Sequence, residues 1–251
     1  MKVSGLWRYP VKSMVGERQA TLAFNDRGVD GDRRFGVLDL SSGTIVSAKH
    51  DARLLLARAM LAGVTLTIRL PTGETVLGSG PSVDQALSGW LGRPVRLVEV
   101  TSTGRATFEM PSDFEDDESE RVRWEGPYGS FVDSGPVHVL TTSSIRAMVS
   151  ERPDLQWELA RFRPNVLIDG DGDSPVEQDW IGRRLTVGEV ELQVVKPCNR
   201  CVMTTRPQPG GTERQLDILR HINAKHRSSL GVLASVTHGG QVETGQPVVM
   251  Q

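Results

Sequence analysis

Apolar residues in this chain fall in short clusters separated by glycine, proline, asparagine and aspartate. Residues 3–9, 20–25 and 34–40 are rich in strand formers and bounded by such breakers, which predicts short β-strands. Residues 64–70 and 74–77, joined through Pro71-Thr72-Gly73, read as a hairpin. Helical signals are few. Ser82 with Gln85 three residues later is a capping-box pattern opening 83–91, and Gly92 supplies the stop. Residues 93–100 return to strand. In the second half, 137–141 predicts a strand and 143–149 a short helix that ends before Pro153. Strands are expected at 163–168, at 185–187 and 189–195 joined through Gly188, and at 230–236 and 248–250; 215–223 is a candidate helix. Many short strands with few helices predict a mainly β (α+β) protein whose sheets are closed or nearly closed.

The rhythm breaks over 101–129. Within it, 109–120 carries Asp113, Glu115, Asp116, Asp117, Glu118 and Glu120 with little apolar content. It reads as an exposed acidic loop or linker, either simply solvated or docking a basic partner. The expected organisation is a first domain at 1–105, a linker at 106–130 and a second domain at 131–251.

Composition narrows the function classes. The formal net charge is −2 with lysine and arginine spread along the chain, so the basic stripe of a nucleic-acid binder is missing, although a local basic pocket for a small anion is allowed. No apolar run is long enough to span a bilayer, and residues 1–8 precede no apolar signal core, so a cytoplasmic protein with no membrane partner is expected. Two cysteines form no disulfide framework and cannot hold an iron–sulfur cluster on four thiolates. Redox chemistry here would draw electrons from another protein.

Both cysteines stand in Lys196-Pro197-Cys198-Asn199-Arg200-Cys201-Val202-Met203-Thr204-Thr205. Nearby cations lower a thiol's pKa and make it a nucleophile or soft-metal ligand. Four readings are open: a thioredoxin-type dithiol, half of a zinc site, a buried structural pair, or one working thiolate with a structural neighbour. Pro207 and Pro209 oppose the helix the first requires, and the second has no further cysteines to complete it.

Other segments carry anion-binding chemistry. Tyr9-Pro10-Val11-Lys12-Ser13 puts a lysine and a serine in a turn after a strand. Gly28-Val29-Asp30-Gly31-Asp32-Arg33-Arg34-Phe35 adds two arginines at the start of another. In Arg161-Phe162-Arg163-Pro164-Asn165 strand alternation would put residues 161, 163 and 165 on one face. Asp169-Gly170-Asp171-Gly172-Asp173 lacks the EF-hand spacing and reads as a turn. The histidines His50, His138, His221, His226 and His238 show no metal spacing; His221 and His226, five apart, are not expected to share a helical face.

Taken together, the segments 6–13, 28–35, 131–136, 143–145, 161–168, 197–205, 231–236 and 242–248 resemble, in order, the MOSC N-terminal β-barrel domain followed by the MOSC domain. The two-part layout is most similar to the amidoxime-reducing molybdenum enzymes and the YcbX-like bacterial proteins. The resemblance implies a β-barrel-like first domain and a β-barrel second domain with a few short helices. It implies a molybdenum cofactor (molybdenum on molybdopterin) with Cys201 on the metal. Lys12, Ser13 and Arg33 would hold the pterin phosphate, and Arg163 and Asn165 the pterin. Thr141, Thr142 and Ser143 match a polar stretch lining the cofactor, and Arg161 and Arg200 complete the expected set. The implied activity is reduction of N-hydroxylated compounds of the amidoxime type, with electrons from a separate flavin or iron–sulfur reductase. A carrier of the cofactor, or of sulfur as a persulfide, is the alternative. The family's opening often reads Lys-Ser-Cys; here it is Lys12-Ser13-Met14.

Overall fold

Strand Val137–Thr141 is buried at every position, as a strand covered on both faces must be. Its side chains alternate between two cores. Val137 and Val139 join Val3, Leu6, Val166, Ile168 and Val232 on one side. Leu140 turns to the other, where Met148, Ile218, Ile222 and Leu230 pack. Each such fully buried aliphatic side chain contributes about 1.5–3 kcal/mol. The computed structural model describes residues 1–101 and 104–251, so Ser102 and Thr103, inside the stretch where the strand rhythm breaks, lie outside the described residues.

This strand lies inside an eight-stranded sheet ordered Val248–Met250, Arg184–Val187, Val190–Asn199, Ser229–His238, Val137–Thr141, Val166–Asp169, Lys2–Arg8 and Glu17–Gln19. Val137–Thr141 and Val166–Asp169 run parallel. Their connection contains helix α2 (Thr142–Glu151), the crossover a parallel pair requires. Both edges of the sheet are open in hydrogen-bond order, but a backbone seam almost joins them: Val3 N–H donates to Gln246 O (2.9 Å) and Gly245 N–H to Val3 O (2.8 Å). Among the described residues there are three α-helices against many short strands, so the mainly β (α+β) reading holds.

The first half builds smaller sheets around a separate core that includes Val11, Met14, Leu54, Ile68 and Leu87. Helix α1 (Pro81–Leu91) covers part of it. Gly92 ends α1 in left-handed conformation (φ 63°), as expected. The Ser82–Gln85 capping box does not form. The helix begins earlier because Pro81 takes its first position, where a missing N–H costs nothing.

The reading of 106–130 as a linker is corrected. Thr107–Pro111 and Arg121–Glu125 form an antiparallel pair, and Phe108 bridges to Ile45, which attaches the pair to a five-stranded sheet. Phe108 is fully buried beside Ile45, Ala106 and Phe131. The strands escape a periodicity search because the acidic run between them dominates the composition. Nor do the sheets respect a division at 106–130: Lys2–Arg8 belongs to the eight-stranded sheet, and Gly240–Glu243 pairs with Thr21–Asn25.

The acidic tip docks on this chain's own arginines. Asp117 accepts from Arg206 Nη2 (2.6 Å) and Arg214 Nη1 (3.0 Å), and Glu115 accepts from Arg220 Nε (2.8 Å). Arg206 is almost wholly buried and also donates to Lys49 O (3.0 Å), so it joins the tip, the first half and the segment after Cys201. The Arg206 hydrogen bonds hold Asp117 below the usual carboxylate range, so its contribution is present at neutral pH and lost as pH falls through that lowered value. Asp117→Asn should lower unfolding free energy by about 1–3 kcal/mol in urea titrations near neutral pH. An unchanged midpoint would mean that the tip merely lies on the surface.

Candidate functional site

The turn after strand Lys2–Arg8 is sewn to the segment 32–35. Tyr9 N–H donates to Asp32 Oδ1 (2.7 Å), Arg33 N–H to Tyr9 O (2.8 Å), and Lys12 N–H to Phe35 O (2.9 Å). This stitching brings Lys12, Ser13 and Arg33 to the wall of one cleft. Arg163 comes to the same cleft from the turn before Val166–Asp169. Ser13, Arg33 and Arg163 all have left-handed backbone, at φ 68°, 46° and 53°. That conformation costs a non-glycine residue roughly 1–2 kcal/mol. Its concentration at one cleft marks a place where geometry is held against local preference. Ser13 Oγ accepts from Ala48 N–H (2.9 Å), which ties the strained turn to the neighbouring loop.

Tyr9 supports both arginines. The guanidinium carbons of Arg33 and Arg163 lie 4.3 and 4.2 Å from its ring centroid, and its hydroxyl donates to Pro164 O. Burial pushes Tyr9 up to about 12, against the pull of the two arginines, so it stays neutral. Arg33 pairs with Asp32. Arg163 pairs with no carboxylate among the described residues, and burial followed by the charge of Arg33 brings it down to about 10. Its Nη2 is buried with no hydrogen-bond partner, an unmet charged donor beside the cleft.

A second cationic cluster stands at Asp133. Its carboxylate meets Lys12 Nζ at 3.0 Å and Lys49 Nζ at 3.1 Å. Lys12 lies over Phe108 (4.1 Å) and Lys49 over Trp124 (4.3 Å). Desolvation works against the charge on all three. At Lys12 it wins, aided by Lys49, and brings the amine down to about 8. At Lys49 it loses to Asp133 and to a charged Cys201, so the ammonium is held above its ordinary value. At Asp133 the two lysines outweigh it and hold the carboxyl well below the usual range.

Both thiols are free and partly buried. Cys198 lies near the end of the long strand Val190–Asn199, and Cys201 immediately precedes the short 3-10 turn Val202–Thr205. The thioredoxin reading therefore lacks its helix. The zinc half-site reading lacks ligands, since among the described residues no metal-spaced cluster includes either cysteine. Burial pushes the Cys198 thiol up, which keeps it protonated.

Arg200 does not act as a free cation beside the sulfurs. Its Nε donates to Leu230 O (2.8 Å), its Nη1 to Phe162 O (3.1 Å), and its Nη2 meets His138 Nε2. Burial first, then Arg200, drives His138 well below its ordinary value, so the ring is neutral and can accept. Gly231 (φ 81°) makes this packing possible, because a Cβ there would stand 2.4 Å from His138 Nε2.

Lys12, Ser13, Arg33, Arg161, Arg163, Asn165, Arg200 and Cys201 thus line one cleft. Arg161 and Asn165 are committed to structure within it. Arg161 satisfies all its donors on Glu158, Thr204 O, Arg206 O, Gln156 and Glu213 O. Asn165 accepts from His138 N–H (3.1 Å) and donates to Trp7 O (3.2 Å). The expected common face of 161, 163 and 165 is corrected: Pro164 and left-handed Arg163 delay the strand to Val166. Thr141, Thr142 and Ser143 do not line the cleft. Thr141 caps α2 through Ser144 N–H and donates to buried Glu177 (2.7 Å), Ser143 Oγ bonds Thr141, and Thr142 bonds Asp169. Sequence reasoning missed Lys49, Asp133 and His138. Asp133 stood inside a segment that carried the resemblance, whereas nothing local distinguishes Lys49 or His138.

Residues 1–117 match the MOSC N-terminal beta barrel domain, and residues 128–249 match the MOSC domain. The mitochondrial amidoxime reducing component 2 of Rattus norvegicus is 26% identical over 289 residues, covering 98% of this chain and 82% of the relative. The mitochondrial amidoxime-reducing component 1 of Homo sapiens is 29% identical over 234 residues, covering 81% of this chain and 65% of the relative. Among solved structures, the YuaD protein from Bacillus subtilis aligns with a TM-score of 0.45 at 12% identity, covering 98% of this chain and 93% of that one. Among the described residues no helix is long and apolar enough to cross a membrane. With the first domain model followed by the second over nearly its whole length, the chain belongs to the MOSC family.

Proposed function

We propose that the cleft binds a molybdenum cofactor, with Cys201 as the protein's thiolate ligand, and that the chain reduces N-hydroxylated compounds of the amidoxime type. The observation that carries this reading is the unmet Nη2 of Arg163 inside a surplus of positive charge. Among the described residues, Lys12, Arg33 and Arg163 at the cleft, with Lys49 joined to them through Asp133, pair with no carboxylates other than Asp32 and Asp133. Such a cradle fits an anionic ligand rich in acceptors, as a pterin phosphate is. The amidoxime-reducing components to which the chain is similar support the substrate class.

The residues divide the work. Arg33 and Arg163, held on Tyr9, would bind the anionic part, and Lys12 would add charge beside it. Cys201 offers a soft sulfur at the wall of the cleft, and a soft ligand suits a metal already bound to sulfur. Cys198, protonated by burial, would pack against the site as a neutral thiol. When bound, the cofactor supplies the two-electron chemistry that removes oxygen as water, and a separate flavin or iron–sulfur reductase would deliver the electrons. Neutral His138 and the backbone-bonded Arg200 would keep the cysteine segment in place.

Protein made in a cofactor-competent host should contain molybdenum and pterin and reduce benzamidoxime with an artificial reductant. Cys201→Ser should lower molybdenum retention by about 10-fold or more, whereas Cys198→Ser should keep it. Arg163→Met should weaken pterin retention about 10–100-fold, the worth of a charged hydrogen bond. Neither metal nor pterin in the wild type would overturn the reading, and a loaded protein that turns nothing over would favour cofactor carriage instead.

Lys12 gives an independent check. Its amine titrates at about 8 in the folded chain against an ordinary 10.5, so between those values the unfolded chain holds more protons. This group's contribution to stability therefore rises with pH across that window. In cofactor-free protein, the unfolding free energy of wild type minus Lys12→Met should climb from about pH 8 to 10.5. A flat difference would contradict the buried environment assigned to Lys12.

A further inference from the structure

His221 and His226 depart from the expectation that they stay apart. His221 lies in helix α3 (Leu216–Lys225), which ends just before His226. His226 caps the helix with φ −122°, and Arg227 and Ser228 follow in left-handed conformation. The helical spacing rule no longer applies across that break. Both imidazoles converge on Glu151, the last residue of α2: His221 Nε2 is 2.6 Å and His226 Nε2 2.7 Å from the same oxygen, Glu151 Oε2. The rings are 5.6 Å apart and inclined at 56°, and His221 is further held edge-on against Trp157. The imidazoles are mostly buried, at 10% and 14% exposure, while Glu151 is 38% exposed and gives access from solvent. None of the three lines the cleft.

Two imidazole nitrogens and one carboxylate oxygen, all within 4.8 Å of one another, are a recognised ligand set for a borderline divalent metal. Calcium and magnesium prefer all-oxygen shells, so the chemistry selects zinc, copper(II) or nickel(II). We propose that Glu151, His221 and His226 form a site for one such ion, of zinc type, with its remaining coordination open to solvent. Zinc bonds of about 2.0–2.1 Å in tetrahedral geometry separate ligand atoms by about 3.3 Å. The Glu151 carboxylate, free to shift toward solvent, must therefore open by about 0.6 Å from its hydrogen-bonded position. On binding, each ring offers the lone pair of Nε2, and a proton held there moves to Nδ1 or leaves to water. Affinity therefore falls as pH drops through the histidine range. An ion here would fasten the end of α2 to the end of α3. That helix carries Arg220, the cation that receives Glu115 of the acidic tip.

The test is zinc titration of the full chain, stripped with a chelator, against a chromophoric competitor. Wild type should bind one more zinc equivalent than His226→Gln and Glu151→Gln, or bind it at least about 10-fold more tightly. Cobalt(II) substitution should give visible d–d bands that vanish in His226→Gln. These bands must persist without a thiolate-to-cobalt band in the near ultraviolet, because the cysteines are the competing ligands. Zinc should raise the thermal unfolding midpoint of wild type and not of His226→Gln. His226 stands at a helix end, so its variant keeps the test usable if His221→Gln, which loses its contact with Trp157, fails to fold. Equal zinc binding by wild type and His226→Gln, or a cobalt spectrum carried by thiolate alone, would overturn the proposal. None of these readouts depends on the cofactor cleft.

Discussion

A buried guanidinium loses free energy for every N–H left without an acceptor, and Arg161 meets all of its donors within this chain. Its acceptors come from three stretches: 156–158, the carbonyls of Thr204 and Arg206, and Glu213. The segment directly after Cys201 is therefore pinned by a charge that cannot be released without leaving buried donors unmet. Arg206 extends the arrangement by reaching from that segment to Lys49 O and Asp117. Arg200 does the same on the other side through Leu230 O and Phe162 O. Three arginines spent on backbone carbonyls give Cys201 a fixed position.

That rigidity lets the cleft tolerate its own electrostatics. Burial, and after it the nearby charge of Arg33, disfavour the charge on Arg163. Only one of these two guanidiniums has a carboxylate beside it among the described residues. Lys12 and Lys49 share Asp133 in the same way. On the proposed reading, an anionic ligand would suit such like charges held together on left-handed backbone, since binding would relieve repulsion as well as form contacts.

The fold was legible where burial follows simple periodicity. Val137–Thr141 and Val248–Met250 occur where their apolar runs predict, and Gly92 ends α1 as its position suggests. Thr107–Pro111 and Arg121–Glu125 were hidden, because their packing rests on isolated aromatics such as Phe108 and Trp124 rather than on alternation. In the cleft, Lys12, Arg33, Arg163 and Cys201 were legible because each sits in a short motif with its own chemistry. His138 in the cleft and Lys49 beside it on Asp133 were not, because their importance arises from neighbours remote in sequence, Arg200 and Asp133. The motif singled out Arg161 as an anion-binding candidate but could not reveal that its hydrogen bonds were already spent within the chain.

The seam between Val3 and residues 245–246 has a kinetic meaning. A ribosome delivers the first strand long before the segment that completes it. Lys2–Arg8 can pair early with Glu17–Gln19, but its other neighbours, Val166–Asp169 and the seam, arrive much later. Contacts this distant in sequence slow folding, because a long loop must close before they form. The nascent first half therefore waits with one strand edge unsatisfied, and that edge is where a chaperone, or a stray second chain, would find purchase.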